Sequence, residues 1–323
     1  MSDSGSISKH TIVIAGIQVY IYGLSQLGTL SSSDNLAVLF LAHPRGSSYK
    51  HSEEVAQFCL DHYYQQRSNG AESELPHLIA VAFDLRNHGA RQIDTEYNND
   101  WTKGNKAHGP DLATMVQGSS EDMVMVIEYL PACIPQYFEN INPGKYINIV
   151  AGVSLGGHVS WRVAGMIPQK IYAIAPIIGS PNLSLLVLDR MGKQLAGTAW
   201  DVAALQFKEQ ANNQNIPLSY EQVVATVGLT EEQRLRYPKV LYQLLSEKDQ
   251  LLVNLPRHVK ILLQCGADDP LVPPIFTKQW YEERQKTAKD SVELYLQPNT
   301  GHEFTNEMKA RGAKWLVEVL RET

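Results

Sequence analysis

Several stretches of this chain are apolar almost without interruption, chief among them LAVLFLA (36–42), LIAVAFD (78–84), YINIVAG (146–152), IYAIAPII (171–178) and VKILLQCG (259–266). A strand that alternates apolar with polar residues can leave one face in water, whereas an unbroken apolar run has no face to expose. LAVLFLA therefore predicts a strand covered on both sides, the environment of a parallel sheet with helices above and below it.

The segments between these runs supply the helices. Amphipathic stretches are expected from Glu53 to Gln65, Ser119 to Leu130, Phe276 to Lys286 and Glu303 to Leu320, with another helix starting near Ser154. VELYLQP closes the strand series. At the start, TIVIA and IQVYIYG flank Ala15-Gly16 and read as an antiparallel hairpin forming the edge of the sheet, with a Ser-rich loop over residues 24–35. The fold class is α/β: a mostly parallel central sheet with helices on both faces.

Between Pro181 and Pro256 the rhythm changes. LSLLVLDRMGKQL, AWDVAALQFKEQA, SYEQVVATVG and TEEQRLRYPKVLYQLLSEKDQLL are helical patterns with no strand among them. The predicted division is a first core part over 1–182, a helical cap insertion over 183–254 and a second core part over 255–323. An insertion there is expected to pack over the carboxyl ends of the strands, where open α/β sheets bind ligands.

Composition narrows the partners. With 323 residues, 44% of them apolar, one large domain with an insertion is the natural reading. The net charge is -6 with acids and bases scattered, so no basic track points to nucleic acid or to a membrane surface, and small molecules are the expected partners. A homodimer is left open. Cys59, Cys133 and Cys265 have neither metal nor pairing spacing and are expected to be reduced and buried. The polar opening MSDSGSISKH lacks the parts of a secretory signal, which favours a cytoplasmic setting. HExxH, clustered Cys/His, phosphate-loop and GxGxxG patterns are missing, and no cofactor is expected.

The sharpest chemical signal is Gly152-Val153-Ser154-Leu155-Gly156, directly after an apolar strand and before a helix. A serine lifted out of a strand-to-helix turn needs small neighbours two residues away on each side, so that the chain can pass closely and keep the hydroxyl exposed. The same glycines would also shape an inert helix start with Ser154 as its N-cap.

On these residues the chain resembles the α/β-hydrolase superfamily over nearly its whole length, in the manner of serine esterases and prolyl-peptidase-like esterases, the latter through Ile178-Gly179-Ser180-Pro181. The resemblance implies a nucleophile, an acid and a histidine in that order. Gly266-Ala267-Asp268-Asp269-Pro270-Leu271-Val272-Pro273 matches the acid region, with Asp269 in the catalytic place and the adjacent Asp268 as the alternative. Thr300-Gly301-His302-Glu303-Phe304 matches the histidine region. Ser154, Asp269 and His302 then all fall at carboxyl ends of predicted strands. His302 is the base that activates Ser154, and Asp269 orients the imidazole.

The oxyanion donors implied are the backbone N-H of Leu155 and that of Arg45, in His43-Pro44-Arg45-Gly46, which is similar to the family's His-Gly segment with proline in place of the first glycine. The Arg45 side chain is placed to reach a substrate carboxylate or to pair with an acid nearby. Asp84, Arg86 and His88 are expected to form a polar network that fixes loops, with His88 a second choice of base. Trp101 and His108 are expected at the rim, and His158 in support. The expected reaction is hydrolysis of a carboxylic ester through an acyl-enzyme. A lactonase, a C-C bond hydrolase, an aminopeptidase with cap acids such as Asp201, Glu209 or Glu221, and a noncatalytic ligand-binding protein are the alternatives.

Overall fold

A computed structural model describes residues 6–68, 75–142, 145–192 and 219–323. Eight strands form one sheet: β1 (Lys9–Ile14), β2 (Ile17–Tyr22), β3 (Leu36–Ala42), β4 (His77–Phe83), β5 (Tyr146–Val153), β6 (Ala173–Ile177), β7 (Lys260–Gly266) and β8 (Val292–Gln297). Their spatial order is β1-β2-β4-β3-β5-β6-β7-β8. β1 pairs antiparallel with β2 and β2 antiparallel with β4, while every later pairing is parallel. The hairpin expected at the edge is there, and Ala15 and Gly16, at φ 49° and 78°, make its two-residue turn.

All seven residues of β3 are buried. Leu36, Val38, Phe40 and Ala42 face one apolar cluster, and Ala37, Leu39 and Leu41 face another on the opposite side of the sheet. The unbroken run thus has the double cover it requires. Each large side chain so buried contributes roughly 1.5–3 kcal/mol before chain entropy is charged against it.

Helices α1 (Tyr49–Gln66), α2 (His108–Cys133) and α3 (Leu155–Met166) fill the early crossovers. α2 begins eleven residues before the predicted start at Ser119. Pro110 sits in its first turn, where a missing N-H costs nothing, and Leu112, Met115, Val116 and Ser119 continue the buried face. The insertion between β6 and β7 contains α4 (Leu183–Met191), α5 (Tyr220–Val227), α6 (Glu231–Arg236) and α7 (Lys239–Val253). The predicted helix over AWDVAALQFKEQA lies outside the described residues. α8 (Pro274–Ala288) and α9 (Asn306–Leu320) complete the chain, and α9 starts only after the His302 loop, capped by Thr305.

A buried pair fastens the insertion to α3 and ties its first helix, α4, to its last, α7. Arg162 of α3 meets Asp249 of α7 at 3.3 Å, Asp249 accepts the Ser184 N-H at 2.8 Å, and Tyr237 donates its hydroxyl to the Ser184 carbonyl at 2.6 Å.

Cys59 and Cys265 are buried and unpaired, as expected, whereas Cys133 is exposed. It shares the outward face of α2 with Met125 and Tyr129, which precede it at four-residue intervals. Among the described residues no helix is long and apolar enough to cross a membrane.

Candidate active site

Ser154 is the single residue between β5 and α3, at φ 55° and ψ -107°. A non-glycine residue pays strain in this region of backbone space, and such strain persists only where the surroundings enforce it. Two glycines do so here. A Cβ on Gly152 would lie 2.2 Å from the Gly156 carbonyl oxygen, and one on Gly156 would lie 2.1 Å from that of Ala42. The turn is therefore wedged between the end of its own helix start and the neighbouring strand β3. The Ser154 N-H donates to the Ile177 carbonyl at the end of β6, at 2.9 Å, which fixes the elbow from the other side.

Three residues distant in sequence meet at this turn. Ser154 Oγ lies 2.8 Å from His302 Nε2, and His302 Nδ1 lies 2.7 Å from Asp269 Oδ2. Ser154 follows β5, Asp269 follows β7 and His302 follows β8, so all three project from the carboxyl edge of the sheet. The Asp269 side chain is fully shielded from solvent, whereas that of His302 keeps 19% of its exposure. The second Asp269 oxygen, Oδ1, accepts the N-H groups of Leu271 and Val272, both at 2.9 Å. With one oxygen held by two amides, the other is aimed at the imidazole. That places the proton of neutral His302 on Nδ1 and leaves Nε2 to accept from Ser154. Asp268 is exposed, and its backbone N-H pairs with the Thr300 carbonyl at 2.9 Å.

The loop after β3 is built by His43. Its ring is fully buried; Nδ1-H donates to the Pro44 carbonyl at 2.8 Å and Nε2 accepts the Leu85 N-H at 3.0 Å. Burial pushes this imidazole down to about 4, so it is neutral and keeps both roles. Gly46 then turns the chain at φ 76°, and the Ser47 N-H returns to Pro44 O at 3.3 Å. Proline fits because the loop uses its carbonyl and never an N-H. Arg45 and Leu155 both line the cleft. Leu155 opens α3, so its N-H has no acceptor within the helix, and the Arg45 N-H bonds to no described residue.

The residues expected to brace the loops do so. Asp84 accepts the Tyr49 N-H at 2.7 Å and the Ala90 N-H at 2.8 Å. Arg86 forms a two-pronged pair with Asp122, at 3.0 and 2.9 Å. His88 donates from Nδ1 to the Arg86 carbonyl at 2.9 Å and stacks edge-on against His43, away from the cleft. Trp101 and His108 do not reach the cleft wall. They lie buried against one another behind Arg45, whose Nη1 is 3.5 Å from His108 Nδ1. His158, by contrast, lines the cleft, with the Ser180 N-H donating to its Nδ1 at 3.0 Å. Burial, reinforced by the Arg190 charge, pushes His158 down to about 3.

Arg190 is the lining residue that sequence reasoning passed over. It belongs to α4, where all nine residues are buried, and its Nε donates to the Leu271 carbonyl at 3.1 Å. Two charges, Asp189 and Arg190, in an otherwise apolar helical run were the available sign that this helix is covered on every side. Of the acids proposed for an amine site, Glu221 is exposed and paired with Lys239, while Asp201 and Glu209 lie outside the described residues. Among the described residues no cluster of His, Cys, Asp and Glu has the arrangement of a metal site.

A model of the alpha/beta hydrolase family matches residues 39–314, an interval that contains every residue of this site. The chain belongs to that family. Solved structures similar to it in fold differ widely from it in sequence. A protein of Thermus thermophilus, TT1662, shares 16% identity over 97% of this chain and 98% of its own, with a TM-score of 0.55. A thermostable carboxyl esterase from Bacillus coagulans shares 15% over 98% and 99%, with a TM-score of 0.51. An epoxide hydrolase from Vigna radiata shares 15% over the whole of both chains, with a TM-score of 0.51. These likenesses establish the fold, and the elbow side chain separates the chemistries. With a serine in that position, hydrogen-bonded to a histidine that is held by a buried carboxylate, the chain is a serine-dependent hydrolase. No curated protein sequence matches it.

Proposed function

We propose that the protein hydrolyses carboxylic esters through an acyl-enzyme on Ser154. The observation that carries this reading is the unbroken chain of contacts from Ser154 through His302 to Asp269, at 2.8 and 2.7 Å.

In this mechanism His302 Nε2 takes the Ser154 proton as Oγ bonds to the ester carbonyl carbon. Asp269 stays ionised and stabilises the imidazolium. The carbonyl oxygen becomes an oxyanion, which accepts the N-H groups of Leu155 and Arg45. Collapse of the tetrahedral intermediate breaks the C-O bond, and His302 returns its proton to the departing alkoxide. A water molecule then repeats the sequence: His302 deprotonates it, its oxygen attacks the acyl carbon, and Ser154 leaves with the proton restored. Esters suit the arrangement better than amides, since an alkoxide needs less assistance in leaving than an amine.

The α4–α7 insertion acts in this reading as a cap that shapes the substrate space. Its support is Arg190, which brings α4 to the wall of a cleft of about 440 Å³. A cytoplasmic setting belongs to the same proposal, with unpaired Cys59, Cys133 and Cys265 as its support.

The test is labelling with a fluorophosphonate probe alongside turnover of p-nitrophenyl esters. Stoichiometric labelling and turnover are expected, both lost in Ser154→Ala. A wild-type protein that neither labels nor turns over esters would overturn the proposal.

A further inference from the structure

One wall of the cleft carries two guanidinium groups. Arg45 comes from the loop after β3 and Arg190 from α4, and both line the space next to Ser154 and His302. Arg190 keeps only 8% of its exposure. Its one hydrogen bond among the described residues runs from Nε to the Leu271 carbonyl, which sets the plane of the fork. Among the described residues neither arginine forms an ion pair with a carboxylate.

The surroundings sharpen the contrast. Burial first, and then the Arg45 charge, lower Arg190 to about 10 against the opposing charges of Asp269, Asp100 and Asp189. Asp269 holds His302, and Asp100 caps a short turn by accepting the Lys103 N-H at 3.1 Å. His108, beside Arg45, and His158, which feels the Arg190 charge, are each pushed to about 3 and add no charge. The lining carboxylate is Glu303, which is exposed. Two partly desolvated cations that no described carboxylate contacts are costly, and a guanidinium fork matches the two oxygens of a carboxylate.

We infer that this wall is an anion subsite: the substrate is an ester that also bears a carboxylate, which Arg190 and Arg45 receive while Ser154 attacks the ester carbonyl. Arg190 and Arg45 are then specificity-determining residues. The inference rests on the proposed ester hydrolysis, and its test separates the two.

The probes are mono-p-nitrophenyl esters of succinate, glutarate and adipate, each beside its methyl-capped neutral counterpart. At the best chain length the free carboxylate is expected to raise kcat/KM by at least ~10-fold over the capped ester, and Arg190→Met to reduce that ratio by ~10- to 100-fold. Arg45→Met is expected to reduce it in the same direction. Equal handling of capped and free esters, or an unchanged ratio in both variants, overturns the anion subsite and leaves ester hydrolysis standing. If Arg190→Met fails to fold, as read by circular dichroism, the Arg45→Met ratio decides. Binding in the Ser154→Ala background, followed by calorimetry, is independent of turnover: the half-ester should bind more tightly than its capped form, and equal affinity also overturns the subsite. Absence of turnover and of fluorophosphonate labelling in wild type overturns the hydrolase reading instead.

Discussion

The Nε2 atom of His43 accepts the backbone N-H of Leu85 at 3.0 Å, joining the loop after β3 to the loop after β4. The same ring donates from Nδ1 to the Pro44 carbonyl, so it stiffens the segment that leads into Arg45, which lines the cleft. Both bonds require a neutral imidazole.

Protonation of His43 is therefore a route to acid instability. Burial holds the ring at about 4 in the folded protein, against about 6.5 for an unfolded histidine. Between these values the unfolded chain takes up a proton that the folded one refuses. Stability is therefore present above the unfolded value and lost as pH falls through the folded one. His108 and His158, each pushed to about 3, add to the same acid limb. The melting temperature is expected to fall steadily from about pH 6.5 to about pH 4, with a shallower fall in His43→Gln. A melting temperature independent of pH over that interval contradicts this account.

Asp269→Asn is expected to reduce kcat by about 10⁴-fold. The Leu271 and Val272 amides demand an acceptor at Oδ1, so the asparagine oxygen takes that place and its NH₂ faces His302. The imidazole must then carry its proton on Nε2, where it can no longer receive one from Ser154. Stopped-flow acylation of a p-nitrophenyl ester measures the loss, and acylation within tenfold of wild type would exclude this role for the carboxylate.

Gly156→Ala tests the wedge beneath Ser154. The added methyl would stand 2.1 Å from the Ala42 carbonyl oxygen, and the obstacle is the β3 backbone, with no flexible side-chain end to swing away. Destabilisation of roughly 3 kcal/mol or more is expected from urea unfolding, at the upper end of overpacking effects. A loss below about 1 kcal/mol would mean that α3 and β3 separate without strain.

Asp249→Ala removes the acceptor for both Arg162 and the Ser184 N-H. Breaking a buried pair from one side leaves an uncompensated cation, and the expected cost is about 3–5 kcal/mol. Arg162→Met combined with Asp249→Leu should recover the part owed to the unpaired cation, while the Ser184 N-H stays without its acceptor. Chemical denaturation of the single and double variants decides, and a double variant as unstable as the single would refute the ionic origin.

The sheet was legible because parallel strands are buried on both faces and write that fact into LAVLFLA and its companions. The triad was legible for a related reason: Ser154 and Asp269 stand just beyond such runs, and His302 just beyond the last strand, VELYLQ, where strand ends are easiest to locate. The start of α2 was hidden because Gly109 and Pro110 read as loop residues, although a first turn accommodates them. Gly118 misleads in the same way, since it is small in order to let the Arg86 side chain lie across the helix, with Nη1 2.3 Å from where a Cβ would be. His43 and Arg190 were visible as residues but silent as to role. One is defined by an amide 42 residues away in the chain and the other by burial on all sides of α4. Periodicity records whether a face is covered, and leaves unrecorded what covers it.

The division of parts has an evolutionary consequence. Ser154, Asp269 and His302 stand just past the ends of core strands, with Gly152 and Gly156 fixing the turn at Ser154. Arg190 sits on α4, in a segment held to that core through Arg162 and Asp249. A preference set by Arg190 can therefore change with α4 while the elbow stands still, and related sequences should vary more along α4 than around Ser154.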